Sequence, residues 1–190
     1  MKQVRDAFEK NHVVLDLDAS DMTSAIHGTI SHLVKSGVLP ESVSQQVESA
    51  FLEREREAPT AIGRAVAIPH AYLEEIEEQL VVFVRLACPV NLGAPDGIPT
   101  RFLFFLLGPP NSTAQHMDTL ANVARLMSDD EFRYEIGEAE SRGDLLAALN
   151  HFASRISPET EPAKEVSDGL AYTGRLGGGL RQDTARRWEH

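Results

Sequence analysis

The chain has 190 residues and a formal net charge of −11, enough for one domain with a real core plus a further segment. Its 42% hydrophobic and 25% charged residues match an ordinary soluble globular protein. The acidic excess excludes the basic footprint that nucleic-acid binding by the body would need, and suits a docking partner with a positive surface.

The first residues, Met1-Lys-Gln-Val-Arg-Asp6, lack the apolar core of a signal peptide. No apolar run approaches the roughly 20 residues needed to span a bilayer. Cys88 is the only cysteine, so no disulfide forms within the chain and a reducing cytosol is the expected compartment. Cys88 itself reads as a small buried hydrophobe.

His12 to Asp18 reads as a first strand. Ser20 and Asp21 can cap a helix that carries Met22, Ala25, Ile26, Ile30, Leu33 and Val34, and Gly37 stops it. Pro40 opens a second helix with Val43, Val47, Ala50 and Phe51 on one face, ending in Glu53-Arg-Glu-Arg-Glu57. Pro59 and Gly63 break the chain before a short strand from Val66 to Ile68. Pro69 and His70 stand at its mouth, where the proline stiffens the backbone that presents the imidazole.

Two apolar strands follow, Leu80–Leu86 and Arg101–Leu107, joined by a loop from Pro89 to Pro99 that holds the turn signal Asp96-Gly97. The second is apolar on both faces, as a central strand covered by helices on both sides would be. Ser112-x-x-Gln115 and Ser128-x-x-Glu131 match the capping box, and Leu145, Leu146, Leu149 and Phe152 mark a last helix. Interleaved helices and strands give an α/β class, with a mixed sheet flanked by helices on both sides.

Composition changes at residue 157. Ser157-Pro-Glu-Thr-Glu-Pro-Ala-Lys164 reads as a linker. From Gly169 to His190 four arginines face Asp183 and Glu189, a net of +2 that leaves the remainder at −13. The chain therefore divides into a body, 1–156, and a linker with a basic, Gly-rich tail, 157–190.

Three residues are the candidates for chemistry: Arg54, His70 and His116. His116 shares a helical stripe with Leu120, Val123 and Met127, so it points inward. A lone histidine on such a stripe is ordinarily a satisfied core residue. Arg54, between Glu53 and Glu55, reads from pattern alone as a solvated surface group. His70 is the least ordinary of the three, because a Pro-His step follows a buried strand. No metal-ligand cluster stands out.

Several motifs in order change those odds. Leu52-Glu-Arg-Glu55, Pro59-Thr60, Gly63 and Ala67-Ile-Pro-His70 are followed by Gln115-His-Met-Asp-Thr-Leu120 and Ala124-Arg-Leu-Met127. From about Val4 to about Ile156 the chain thereby resembles enzyme IIA domains of the bacterial phosphotransferase system, of the mannitol/fructose type, whose fold the nitrogen-regulatory branch shares. The resemblance implies that His70 accepts a phosphoryl group from an HPr-like carrier, that His116 positions the phosphoryl oxygens, and that Arg54 offsets their charge. It implies no metal and no cofactor. Three features depart from the family: Ala71 where a glycine is usual after the active histidine, a long loop at Pro89–Pro99, and the Pro-rich Gly108-Pro-Pro-Asn111.

The tail carries a second resemblance. Thr173-Gly-Arg175, Gly178-Gly-Leu180, Asp183 and Arg186-Arg187 are similar to the segment before the first membrane helix of bicarbonate transporters and anion exchangers, with Gly177 in place of the usual Phe. Together the two imply an enzyme IIA-like cytosolic domain that regulates or assembles a bacterial bicarbonate transporter through its fused membrane domain, at the cytosolic face of the inner membrane. Such transporters are dimeric, which extends the expectation to a homodimer. The alternative is a phosphoryl-carrier component that passes phosphate from HPr to a IIB domain.

Overall fold

The run Phe102–Leu107 sets the architecture. Phe102, Phe104 and Leu106 enter one hydrophobic core, and Leu103, Phe105 and Leu107 enter another. A strand whose alternate side chains are apolar on both faces must lie between two covered layers. Fully burying each large side chain contributes about 1.5–3 kcal/mol, so this strand anchors both layers at once.

The structure, a computed structural model, describes residues 1–156. Its elements run α1 (Lys2–Glu9), β1 (Val13–Leu17), α2 (Met22–Lys35), α3 (Glu41–Glu57), β2 (Ala61–Gly63), β3 (Val66–Ala67), β4 (His70–Tyr72), β5 (Leu80–Val90), β6 (Thr100–Gly108), α4 (Thr113–Ser128), α5 (Asp130–Glu138) and α6 (Arg142–Ile156). The six-stranded sheet has the order β1-β5-β6-β3-β2, and β4 also pairs with β6. The β5/β6 and β2/β3 pairs are antiparallel; β1/β5, β3/β6 and β4/β6 are parallel. Phe8, Val123, Leu126, Phe132, Ile136 and Leu149, from α1, α4, α5 and α6, fill the core on one face. Ile26, Ile30, Leu33, Val47 and Phe51, from α2 and α3, fill the other. The class is the mixed α/β sheet between helices that the pattern predicts.

One edge of β6 positions the site. β3 pairs with Phe102 and Leu103, and β4 pairs with Leu106 to Gly108. Between them lie Ile68 and Pro69. Pro69 has no N–H to give the ladder, but its carbonyl accepts from Leu106 N at 2.9 Å. The edge therefore breaks without unpairing β6, and the strand restarts at His70.

Several local expectations are corrected. A helix, α1, precedes β1. Short strands β2 and β4 flank β3, and the β2–β3 turn is at Arg64-Ala65, both at positive φ (54° and 64°). β5 runs on to Val90, which pairs with Thr100, so the loop begins at Asn91. Cys88 is exposed, because it lies beyond Leu86, the last β5 residue paired with β1. The α2 capping box is built by Asp21 and Ser24. Ser112 does not cap α4; its hydroxyl donates to Pro109 O at 2.7 Å within a 3-10 turn. Ser128 is the last residue of α4, and the cap of α5 is Asp129, which accepts from Phe132 N at 2.7 Å.

Candidate functional site

Arg54 sits in the last turn of α3 on the stripe of Val47 and Phe51, both buried against the sheet. That spacing of four and three residues aims it at the sheet edge rather than at open water. Its Nη1 donates to Ala58 O at 3.0 Å, and its Nε donates to His70 Nε2 at 3.0 Å. Glu55, one residue on, accepts from Thr60 N (3.1 Å) and Thr60 Oγ1 (2.6 Å), fixing the turn from α3 into β2. The arginine is thus part of a built site, not a solvated surface group.

His70 has its protonation pattern set by these partners. Its Nδ1 is 2.9 Å from Ile68 O. A carbonyl oxygen only accepts, so Nδ1 carries the proton. Nε2 keeps the lone pair and receives the Arg54 N–H. Burial lowers the His70 pKa, the Ile68 hydrogen bond opposes that, and the Arg54 charge lowers it further while Glu55 raises it. The ring is neutral near pH 7, with one lone pair held in a defined direction.

His116 faces it from α4. The His70 and His116 ring centroids are 5.3 Å apart, and the Tyr72 ring centroid lies 4.8 Å from that of His116. His116 is 1% exposed, and its pKa is lowered to about 4, first by desolvation and second by His70. Its inward direction agrees with the stripe. A satisfied core histidine, however, it is not: among the described residues Nε2 is buried with no hydrogen-bond partner, and Nδ1 has only Gln79 Nε2, at 3.5 Å.

The three side chains line a cleft of about 460 Å³. Tyr72 (38% exposed) and Met117 (59% exposed) give it an apolar rim, with Glu53 and Glu57 beside them. A neutral imidazole lone pair, a fixed guanidinium and a second imidazole suit capture of an electrophilic, multiply charged anionic group. Ala71, the middle residue of β4, is buried in the core and pairs with Leu107.

Pattern reading overlooked Gln79 and Thr119. Thr119 lies three residues after His116 on the same helix, which is a legible signal. Gln79 stands just before β5 and reaches His116 only through the fold. The fold also brings Glu131, Glu135 and His151 together, a grouping the sequence does not announce beyond the i, i+4 spacing of the glutamates. Arg155 already pairs with Glu131 at 3.0 Å. The tail pattern of residues 173–187 lies outside the described residues. Among those described, no helix is long and apolar enough to cross a membrane.

A family model described as phosphoenolpyruvate-dependent sugar phosphotransferase system, EIIA 2, matches residues 6–152. A nitrogen regulatory protein of Bradyrhizobium diazoefficiens is 36% identical over 115 residues, 60% of this chain and 75% of that one. The fructose-specific EIIABC component of Bacillus subtilis is 25% identical over 148 residues, 78% of this chain but 23% of that one. Among solved structures, the nitrogen regulatory protein IIA-Ntr of Neisseria meningitidis superimposes with a TM-score of 0.68 at 27% identity, covering 77% of this chain and 98% of that one. The IIA mannitol structure of Escherichia coli gives 0.60 at 22% identity and shows the shared fold.

Proposed function

The chain belongs to the EIIA 2 family of the phosphoenolpyruvate-dependent sugar phosphotransferase system, and on that premise we propose that it is a phosphoryl carrier charged at His70 Nε2. The donor is a phosphorylated HPr-like protein. The acceptor is a IIB domain, or the charged state itself serves as a regulatory signal, as the likeness to nitrogen regulatory proteins suggests.

The observation that carries this reading is the bond pattern at His70. Ile68 O holds the proton on Nδ1, so the lone pair on Nε2 points into the cleft beside Arg54. In the transfer, that lone pair forms a new N–P bond. The donor's bond to phosphorus breaks, and its electron pair returns to the donor atom. No proton needs to move. The His70 ring gains positive character, which the Nδ1–H bond to Ile68 O stabilises. Arg54 Nε–H, which occupies the lone pair at rest, swings onto the phosphoryl oxygens, where its planar fork suits them. Such transfers rest on positioning and charge stabilisation. The apolar rim at Tyr72 and Met117 gives a carrier protein a surface to seat on. A cytoplasmic location follows from such partners.

The test is phosphoryl transfer in vitro. Wild type and His70→Ala are incubated with phosphoenolpyruvate, enzyme I and HPr, and intact mass reports an acid-labile phosphate. Label on wild type alone is the expected result. Label on neither removes the carrier role.

A second reading rests on the tail. The order Thr173-Gly-Arg175, Gly178-Gly-Leu180, Asp183 and Arg186-Arg187 favours a role regulating or assembling a dimeric bicarbonate transporter. The family and the relatives matched here are phosphotransferase and nitrogen-regulatory proteins, and they favour the carrier. Bicarbonate flux through the full gene product, compared between wild type and His70→Ala, separates the two: equal flux leaves the transporter reading without a regulatory site.

A further inference from the structure

We propose that Gln79, oriented by Thr119, is a positioning residue that fixes His116 as the Nε2–H tautomer, so that one N–H is aimed at the phosphoryl group carried by His70. The inference rests on the carrier reading for its purpose, but not for its geometry.

Gln79 bridges two groups on α4. Its Oε1 is 3.1 Å from Thr119 Oγ1, and its Nε2 is 3.5 Å from His116 Nδ1. An amide oxygen only accepts, so the Thr119 hydroxyl donates to it. The amide nitrogen only donates, so the His116 nitrogen it faces is bare. A neutral imidazole has one N–H, and it is therefore on Nε2. Neutrality is secured by burial and by the neighbouring His70, which lower the His116 pKa to about 4.

The reverse arrangement would serve a phosphoryl carrier badly. The Thr119 hydroxyl could turn wholly to Gln115 O, 2.9 Å away, and the amide could flip. Nδ1 would then carry the proton, and His116 Nε2 would offer a lone pair to the cleft. That lone pair would repel phosphoryl oxygens on His70, whose ring centroid is 5.3 Å away. In this orientation, Nε2–H is a buried donor with no partner among the described residues. Such a group costs stability until an acceptor arrives. A phosphoryl oxygen on His70 is that acceptor. Two consecutive hydrogen bonds thus hold a donor ready before the charge appears, which is how preorganised sites gain rate.

Imidazole nitrogen spectroscopy of the full, unphosphorylated chain tests this, with ¹⁵N-histidine and long-range proton–nitrogen correlation at about pH 8, where the rings are neutral. Wild-type His116 is expected to show a protonated Nε2 and a bare Nδ1. Gln79→Glu, whose carboxylate only accepts, is expected to place a proton on Nδ1. Thr119→Val is expected to lower the phosphoryl-transfer rate about 10- to 100-fold, as lost support of a functional histidine does, with the KM for HPr unchanged. Thr119→Ser restores it. A wild-type Nδ1–H tautomer, or a His116 tautomer indifferent to Gln79→Glu, overturns the proposal. Because the wild-type spectrum needs no variant to fold and no phosphate, its outcome is distinct from the transfer assay. A chain that takes no phosphate yet shows the Nε2–H tautomer fails the carrier reading and keeps the geometry.

Discussion

Arg85 and His116 are both buried polar side chains, 5% and 1% exposed, and the fold treats them in opposite ways. Arg85 projects from β5. Its Nε and Nη2 take Asp16 at 3.0 and 2.9 Å, and its Nη1 donates to the carbonyls of Ile136, Gly137 and Ala139 at 3.3, 3.0 and 2.5 Å. It ties β1 to β5 and closes the C-terminal end of α5, where a cation also meets the helix dipole. Among the described residues His116 has one distant partner on Nδ1 and none on Nε2. The two regions lie along the same strand: Arg85 is level with Phe102 of β6, and His70 is level with Leu106. Burying a polar atom without a partner costs about 1–3 kcal/mol. Thr100 Oγ1, Arg101 Nε and Glu135 Oε2 are also buried without a partner among the described residues, but His116 Nε2 alone of the four belongs to a side chain lining the cleft with His70 and Arg54.

Breaking the saturated side should cost the most stability. Arg85→Met takes the cation from the exposed Asp16 and its donor from Ile136 O and Ala139 O, while Gly137 O keeps Arg101 Nη2 at 3.3 Å, and is expected to lower unfolding free energy by about 2–4 kcal/mol. Urea denaturation measures it. Phosphoryl acceptance per folded molecule should stay at the wild-type level. A loss below about 1 kcal/mol would mean that Arg85 is not a structural anchor.

Acid should act next, on the unsaturated side. His70 and His116 are both held below the ordinary histidine value, His116 at about 4. Between the folded and unfolded values the unfolded chain binds more protons, so stability rises with pH across that window. The contribution is whole above about pH 6.5 and is lost as pH falls toward 4. For His116 it is on the order of 3 kcal/mol. Carboxylates titrate in the same range, so the diagnostic quantity is the difference between wild type and His116→Leu. Parallel profiles for the two would show that His116 has an ordinary pKa. The rate of phosphoryl acceptance should hold its plateau below the ordinary histidine value, because burial keeps His70 neutral there.

The smallest expected stability change is the most informative. At about pH 7.5 His116→Leu should be as stable as wild type within about 1 kcal/mol, since it removes an unpartnered polar atom from the interior. Its phosphoryl-transfer rate should nonetheless fall about 100-fold, the usual loss for one donor to developing charge. A variant that is far less stable would return His116 to the class of core residues, alongside Arg85.

Parts of both regions are legible in the chain. The double-faced run Phe102–Leu107 announces a central strand because period two is visible within six residues. The inward direction of His116 follows from its stripe. Arg54 shares a stripe with Val47 and Phe51, and this spacing outweighs the flanking glutamates that suggest a solvated group. Arg85 carries no such mark: within Leu80–Leu86 it is one charged residue in an apolar strand, and its acceptors are 51 to 69 residues away. The α1 helix and the short strands β2 and β4 also escape, being too brief to establish a period.

Local composition, caps and periodicity determine by themselves that this chain makes a mixed α/β sheet with helices on both faces, and that Pro69-His70 ends a buried run. Those features depend on contacts within a few residues. That Arg54 Nε meets His70 Nε2, that His116 stands 5.3 Å from His70 across the cleft, and that Gln79 reaches Nδ1 from 37 residues away are decided only when β6 gathers β4, β5 and α4. Hydrogen bonds act over about 3 Å, so which donor finds which acceptor is settled by the packing that brings distant segments together.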